Sequence, residues 1–483
     1  MFSRYCRQNL PLLIFKSPKT PLFQQSPRTT TLLTFRNMSD PTAPTTKKRD
    51  GGKKEPRPKN KRKKADDHIK RNHTWQLDEN RKVVHPGSYA NPAFCQLFNV
   101  TLPCYSNDDS SQQPATSKKK VAFLLGYLGT AYSGFQINEG QRTLQAEFEL
   151  ALYKCRLLDP RNFGFPHKYG WSISGRTDKG VHACAQVCSA KIELLPEQTL
   201  EQVLHALNAV LPNDFRVLDI VRATRNFCAH TQRDQVRYQY MIPSLVFSPQ
   251  MKPLLQQMMA HKEPRPPNNP LTRDEIAQLQ EALQSYRLTP VQLNLLKECL
   301  ASYEGTHSFH NFTKGVPPTE ARATRYILSF TADEPVLHNG VEWIPTQVLG
   351  QSFLLHQIRK MVSMAMQVTR GASSLDTLRQ ALTKDCRVKV DVAPAQGLYL
   401  DVSYYTGYNR RKQENPDLDD MDWTRSEEPA YQRWKDFKDN VVMKHVIEEE
   451  AKEGNFLKYL FLQEYYTELS KDPEESDGGA EDK

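Results

Sequence analysis

The sequence predicts an α+β fold in which an antiparallel sheet is covered by helices. Strand-like segments outnumber helical ones, and they mostly lack the strict strand–helix alternation that a parallel sheet requires. The clearest helical segment is amphipathic, so it has one apolar face to lay against a sheet.

The ordered region starts at Val121, where VAFLLGY is an apolar run of strand length and YLGTAYSGFQ supplies turn residues. A helix follows, with Thr143 at its N-cap and Leu144, Phe148, Ala151 and Cys155 on one face. Thr199 begins TLEQ, a capping-box pattern; the helix it opens buries Val203, Leu207 and Val210 before Pro212 stops it. FRVLDIVRA and VRYQYMI read as strands, and in the second Val236, Tyr238, Tyr240 and Ile242 alternate onto one face. Residues 246–288 are rich in Pro, Gln and Met and read as an insertion. Pro290, at a first helical position, restarts the order with Leu293, Leu296 and Leu300 on one side. ATRYILSF and EWIPTQVLG read as strands. A helix then runs from an N-cap at Ser352 to Arg370, with Gly371 as its stop, and GLYLDVSYY closes the core. Beyond Tyr405 the chain turns charged, with helical stretches at 434–445 and 455–469 and an acidic tail.

Hydrophobic residues make up 38% of the 483, low for a fully globular chain, and residues 1–117 read as disordered. The net charge of +10, with Lys and Arg crowded into the first quarter, favours polyanion partners or a targeting tract. No run of about 18 apolar residues occurs, which argues against a membrane-spanning helix. The nine cysteines show no zinc-site spacing; Cys184 and Cys188 read as small buried hydrophobes. The first 39 residues carry Arg4, Arg7, Lys16, Lys19, Arg28 and Arg36 and no acid before Asp40. That pattern is either a mitochondrial presequence or a merely basic, disordered leader. Initiation at Met38 would remove it and leave KKRDGGKKEPRPKNKRKK near the new N-terminus, a nuclear localisation signal or an RNA-binding arm.

Chemistry concentrates in SISGRTDKGVHA, where Arg176, Asp178, Lys179 and His182 lie among glycines at 175 and 180. A nearby cation can keep an aspartate ionised, and glycines let a backbone approach a ligand closely. From spacing alone, however, a surface turn in which Asp178 caps its own loop accounts for the segment better. In GQSFLLHQIRKMVSMAM, Leu354, Ile358, Met361 and Ala365 form the buried stripe, and His356, Arg359, Lys360 and Ser363 share the polar face. Those cations are either solvated or, in the case of Arg359, paired with a carboxylate at a cleft. Tyr238 and Tyr240, flanked by Arg233 and Arg237, pack in a core or stack on a base.

GRTDKGVHA resembles the signature loop of the TruA family of pseudouridine synthases. GYLGTAYSGFQ, VRYQYMIP, EGTHSFHNFT, GQSFLLHQIRKMV and APAQGLYLDV resemble five further blocks of that family, in the same order over residues 120–405. The wording of the later blocks is most similar to the eukaryotic tRNA pseudouridine synthase 1 type. Two departures occur: Phe135 stands where Trp or Met is commoner, and His230 where the family often has Arg or Lys.

The resemblance implies two similar α+β halves, at 118–245 and 289–405, whose antiparallel sheets join into one continuous sheet flanked by helices, with a central RNA-binding cleft. A helical extension and acidic tail occupy 406–483. It implies Asp178 as nucleophile and Arg176 as the loop arginine that helps extrude the target nucleotide. Tyr238 would lie under the uracil, Arg359 would pair with the catalytic carboxylate, and Leu398 would form the apolar wall. The activity implied is uridine-to-pseudouridine isomerisation in tRNA, in or near the anticodon stem (positions 27/28), with snRNA or mRNA as further substrates. No cofactor, metal, membrane or obligatory protein partner is implied, and the localisation expected is the nucleus with a mitochondrial form. A non-catalytic RNA-binding protein on the same scaffold is disfavoured because the Asp, Tyr and Arg positions are all filled. A phosphate-binding enzyme built on GYLGTAYSG fails because no GK[ST] follows.

Overall fold

The computed structural model describes residues 116–469, except 139, 160–161, 260–264, 267–268, 413–414 and 416–417, with two short strands upstream. Those strands, Gln76–Leu77 (β1) and Val83–Val84 (β2), pair as an antiparallel ribbon. Otherwise the disorder and targeting signals expected of the N-terminal region lie outside the described residues.

Strand β3 spans Ser117–Tyr127, starting four residues before the expected Val121. Lys118, Lys119 and Lys120 extend it because they still find ladder partners in β5 (His182–Leu194). Lys120 also donates from its Nζ to the Gly170 carbonyl at 2.6 Å. The main sheet contains ten strands, eight of them in the order β6-β3-β5-β12-β7-β11-β9-β8. Its remaining members on this path are β6 (Phe215–Arg222), β7 (Gln235–Pro243), β8 (Gly305–Ser308), β9 (Thr324–Ala332), β11 (Val341–Gly350) and β12 (Leu398–Tyr404). The short β4 (Ser172–Ile173) adds to β5, and β10 (Val336–His338) adds to β11.

One continuous, mostly antiparallel sheet flanked by helices is thus the observed fold, as the sequence predicted. Its one parallel pairing was not expected: β12 runs alongside β5, with Tyr399 opposite His182 and Leu400 opposite Ala183. Parallel strands start at the same edge, so the chain entering β5 at residue 181 lies beside the chain entering β12 at residue 397. Strand β7, from the first half of the sequence, pairs with β11 and β12 from the second.

Both sheet faces are buried, which is why β3 reads as a continuous apolar run rather than an alternating one. Val121, Phe123 and Leu125 face one core; Ala122 and Leu124 face the other. The first core is roofed by helices α1 (Leu144–Lys154), α2 (Leu200–Val210), α5 (Pro290–Ala301) and α6 (Gln357–Thr369). The capping box of α2 forms as expected between Thr199 and Gln202, and Pro290 opens α5. Thr143 precedes α1 but makes no side-chain cap, and Val210 at the end of α2 is 39% exposed rather than buried; Leu204 packs inward instead. Residues 246–288 contribute α3 (Met251–Met259) and α4 (Arg273–Leu283), which place Met251, Leu255, Ile276 and Leu279 in the same core.

The C-terminal segment covers the opposite face. Tyr405, Tyr408, Trp423, Trp434, Phe437 and Val446 pack there against Met241, Trp343 and Tyr399. The short α7 (Leu375–Gln380), whose Leu378 lies in the first core, leads to β12, and the chain then runs through α8 (Thr406–Lys412) into α9 (Pro429–Phe437) and α10 (Lys444–Glu453). A wide helical turn, Lys438–Met443, joins the last two and delivers Lys438 to Asp401 at 3.0 Å. A register shift in β12 at Asp401 turns that fully buried carboxylate towards Arg237 as well, at 2.6 Å. Gly454 then reverses the chain in the left-handed region, and α11 (Asn455–Leu469) returns Phe456, Leu457, Leu460 and Phe461 to the first core. No helix of the described residues is long and apolar enough to cross a membrane.

Glu450 caps that reversal by accepting the Phe456 N–H at 3.0 Å inside the core. Burial pushes its carboxyl up from 4.5 to about 8, against the N–H bonds that pull it down. The folded chain therefore holds this proton more tightly than the unfolded chain. The associated stability is fully present below pH 4.5 and is lost as pH rises towards 8. Glu450→Gln should melt like wild type near pH 5 and above it near pH 9, the gap growing by roughly 1.4 kcal/mol per pH unit. Thermal melts across that range showing a pH-independent gap would refute the effect.

Candidate active site

The glycine-bearing loop between β4 and β5 is fixed by hydrogen bonds from neighbouring elements. Gln186, on β5, donates from Nε2 to the Gly175 carbonyl at 2.6 Å and accepts from the Ser174 hydroxyl. Ser174 also shares a hydrogen bond with Ser403 of β12 at 3.2 Å. Tyr127 and Thr177 share one between hydroxyls at 2.9 Å, and the Phe135 N–H donates to the Thr177 carbonyl at 3.2 Å. Arg233 clamps the loop from outside, donating to the Ser174 carbonyl at 2.7 Å and the Gln351 carbonyl at 3.1 Å. A Cβ at 175 would stand 2.8 Å from the Arg233 guanidinium, so a larger residue there would push this clamp aside. With its polar backbone atoms so engaged, the loop presents Asp178 on a rigid turn.

Asp178 lines a cavity of about 1520 Å³, and so do Arg176, Tyr238, Arg359 and Leu398, the other four residues singled out from the sequence. These positions span more than two hundred residues of chain and meet because β5, β7 and β12 are neighbours in the sheet. The volume exceeds that of a small-molecule pocket, about 300–1,000 Å³, and suits part of a polymer. Phe135, Trp171 and Phe353 supply aromatic wall, and Phe135 and Trp171 stack at 6.4 Å between centroids. His230, which departs from the family pattern, lines the cavity too, so it remains placed to meet substrate.

Tyr238 sits mid-strand on β7, its ring edge-on to Phe353 at 5.5 Å. Burial pushes its phenol up; the neighbouring Arg233 pulls it down and Asp178 pushes it further up. The hydroxyl is therefore neutral at physiological pH. Leu398 opens β12 and is almost fully buried beside it.

The expected direct pair between Arg359 and Asp178 is not closed. Arg359 donates from Nε to the Ala393 carbonyl at 2.7 Å, and burial lowers its pKa while Tyr240 and Asp178 raise it. Its charge is thus felt at Asp178 without an ion pair. The side chain within ion-pair range of Asp178 is instead the His356 imidazole, with Nε2 3.6 Å from Oδ2. The helix boundary is responsible: α6 begins at Gln357, five residues after the expected Ser352 N-cap, and His356 occupies the N-cap position at φ 61°. Ser363, expected on the polar face, is buried and bonded to Tyr459 of α11.

His182, the histidine within GRTDKGVHA, is fully buried and outside the cavity. Burial pushes its imidazole down to about 3, and its Nδ1 accepts the Gly129 N–H at 3.1 Å. It braces the turn beneath the loop as a neutral ring. Gln186 and Tyr127 were not anticipated as site-building residues. The available signal for Gln186 was a lone amide inside the apolar strand ACAQVCS, since a buried amide needs hydrogen-bond partners.

A rigid carboxylate, a neutral phenol, a distant guanidinium and an apolar aromatic wall suit a flat, uncharged ring brought up to a carboxylate nucleophile. A family model described as tRNA pseudouridine synthase matches residues 300–405. The Pseudouridylate synthase 1 homolog of Mus musculus is 31% identical over 357 residues, 73% of this chain and 75% of its own. That of Homo sapiens is 32% identical over 311 residues, 64% of this chain and 65% of its own. The tRNA pseudouridine(27/28) synthase of Saccharomyces cerevisiae is 30% identical over 322 residues, 60% of this chain and 85% of its own.

Proposed function

This chain belongs to the TruA family of tRNA pseudouridine synthases, isomerases that convert uridine to pseudouridine, and we propose that Asp178 is its nucleophile. The observation that carries the assignment is the convergence of Asp178, Arg176, Tyr238, Arg359 and Leu398 on one cavity.

The reaction breaks the bond from N1 of uracil to C1′ of ribose and forms one from C5 to C1′. C5 loses a proton and N1 gains one, so no oxidant or activated phosphate is consumed. A carboxylate nucleophile divides this exchange into two easier steps. Arg359 sets a guanidinium within electrostatic reach of Asp178, and the hydrogen bonds behind Gly175 and Thr177 keep the carboxylate aimed. The target uridine leaves its stack, at a cost of a few kcal/mol, and is received by Tyr238 and the Leu398 wall. Arg176, exposed beside Asp178, holds the vacated RNA backbone.

The target lies in the anticodon stem, at the 27/28 positions named for the yeast relative. Other RNAs that fold into the same shape, snRNA and mRNA among them, are further substrates, because A-form recognition rests on shape more than on base edges. The N-terminal basic tract directs the chain to the nucleus, and the leader before Met38 gives a mitochondrial form. Incubation with unmodified tRNA, snRNA and mRNA transcripts, followed by nucleotide-resolution mapping, tests the substrates; pseudouridine absent from positions 27 and 28 overturns the site choice. Imaging of tagged chains begun at Met1 and at Met38 tests the localisation, and identical distributions overturn it.

A further inference from the structure

Four non-glycine residues among those described adopt positive φ: Arg156, Glu197, Asn339 and His356. Of these, only His356 lines the cavity. A left-handed conformation is uncommon outside glycine, though Asn, Asp and His adopt it more readily than other residues; it persists where the surroundings over-determine it, and such positions cluster at functional sites. The surroundings here are explicit. Gln357 accepts the Leu354 N–H on its side-chain Oε1 at 2.8 Å, and Thr313 donates to the Leu355 carbonyl at 3.0 Å. The His356 carbonyl meanwhile accepts the Lys360 N–H at 3.0 Å as the first bond of α6. Pinned on both sides, His356 turns its ring away from the helix and towards Asp178.

We propose that His356 is a positioning residue that acts through Asp178, its neutral imidazole donating from Nε2 to set the carboxylate rotamer while leaving its charge available. This rests on Asp178 being the nucleophile. The 3.6 Å separation is longer than a hydrogen bond of about 2.7–3.2 Å, and a small side-chain rotation closes it when substrate orders the cavity. Arg359, anchored on Ala393, supplies positive charge without occupying a carboxylate lone pair. A protonated His356 would do the opposite: a charge-assisted bond would tie up the attacking oxygen.

The ring's surroundings favour its neutral form. Burial lowers its pKa below 6.5, and Arg359 and Lys360 on its own helix lower it further, as does Lys314 on the loop that follows Phe312; Asp178 alone raises it. Turnover should therefore fall on the acid side as the imidazole gains its proton.

The test compares His356→Asn and His356→Gly with wild type and Asp178→Asn, measuring melting temperature, tRNA affinity and kcat against pH. Both His356 variants tolerate a left-handed backbone. Each should melt and bind tRNA as wild type does, lose kcat by about 10- to 100-fold, and lack the acid limb that wild type shows below pH 6.5. Wild-type kcat with the acid limb intact in either variant would overturn the proposal. So would a drop in melting temperature and tRNA affinity that matches the lost activity, since that is a structural role. An inactive Asp178→Asn beside a fully active His356→Asn removes this inference and keeps the nucleophile; an active Asp178→Asn removes both.

Discussion

Asp178→Asn should lower pseudouridine formation on the order of 10,000-fold or more while leaving tRNA binding close to wild type. The substitution is nearly isosteric, and the loop does not depend on the carboxylate for its shape. Gln186, Tyr127, Arg233 and the Phe135 N–H hold it through other atoms. Binding should persist because affinity for RNA comes mostly from phosphate contacts distributed over many cations, of which Asp178 is none. What disappears is the only group here proposed to bond covalently with the nucleoside. Single-turnover assays on purified protein, with mass spectrometry to exclude deamidation back to Asp, provide the measurement. An Asn variant with more than a trace of turnover would remove Asp178 from the mechanism.

Arg359→Met is expected to have the second-largest effect, a fall in kcat of about 100- to 1,000-fold with the protein still folded. Methionine keeps the apolar stem on α6 but deletes a half-buried charge that Asp178 feels and a hydrogen bond to Ala393. The lost bond should cost about 1 kcal/mol of stability, small beside the catalytic loss. Arg359→Lys should recover only part of the rate, because a flexible ammonium does not reproduce a guanidinium fixed on Ala393. Wild-type turnover in the Met variant would reduce Arg359 to a helix anchor.

Much of the local structure is legible in the sequence. Thr199 and Gln202 announced a capping box, Pro290 a helix start, and Val236, Tyr238, Tyr240 and Ile242 a strand face; each depends on residues a few positions apart. The start of α6 was missed because Ser352 followed by an apolar run imitates an N-cap. The decisive bonds, from Thr313 to Leu355 and from Gln357 back to Leu354, make the chain turn first at His356. The parallel meeting of β5 with β12 and the C-terminal cover over Tyr399 and Trp343 carried no local signal either.

The active-site loop divides in the same way. By itself the sequence determined which residue types were available: a carboxylate among glycines, an aromatic strand, an arginine on an amphipathic helix, and six blocks in family order. Those are properties of short range, set by backbone propensity and side-chain period. Only the tertiary structure decided that Asp178 faces His356 at 3.6 Å while Arg359 is held on Ala393, and that Gln186 and Tyr127 stand behind the loop. Contacts between residues far apart in the chain are chosen by which strands pair and which groups must find partners once buried, and no window of sequence contains both sides of that choice.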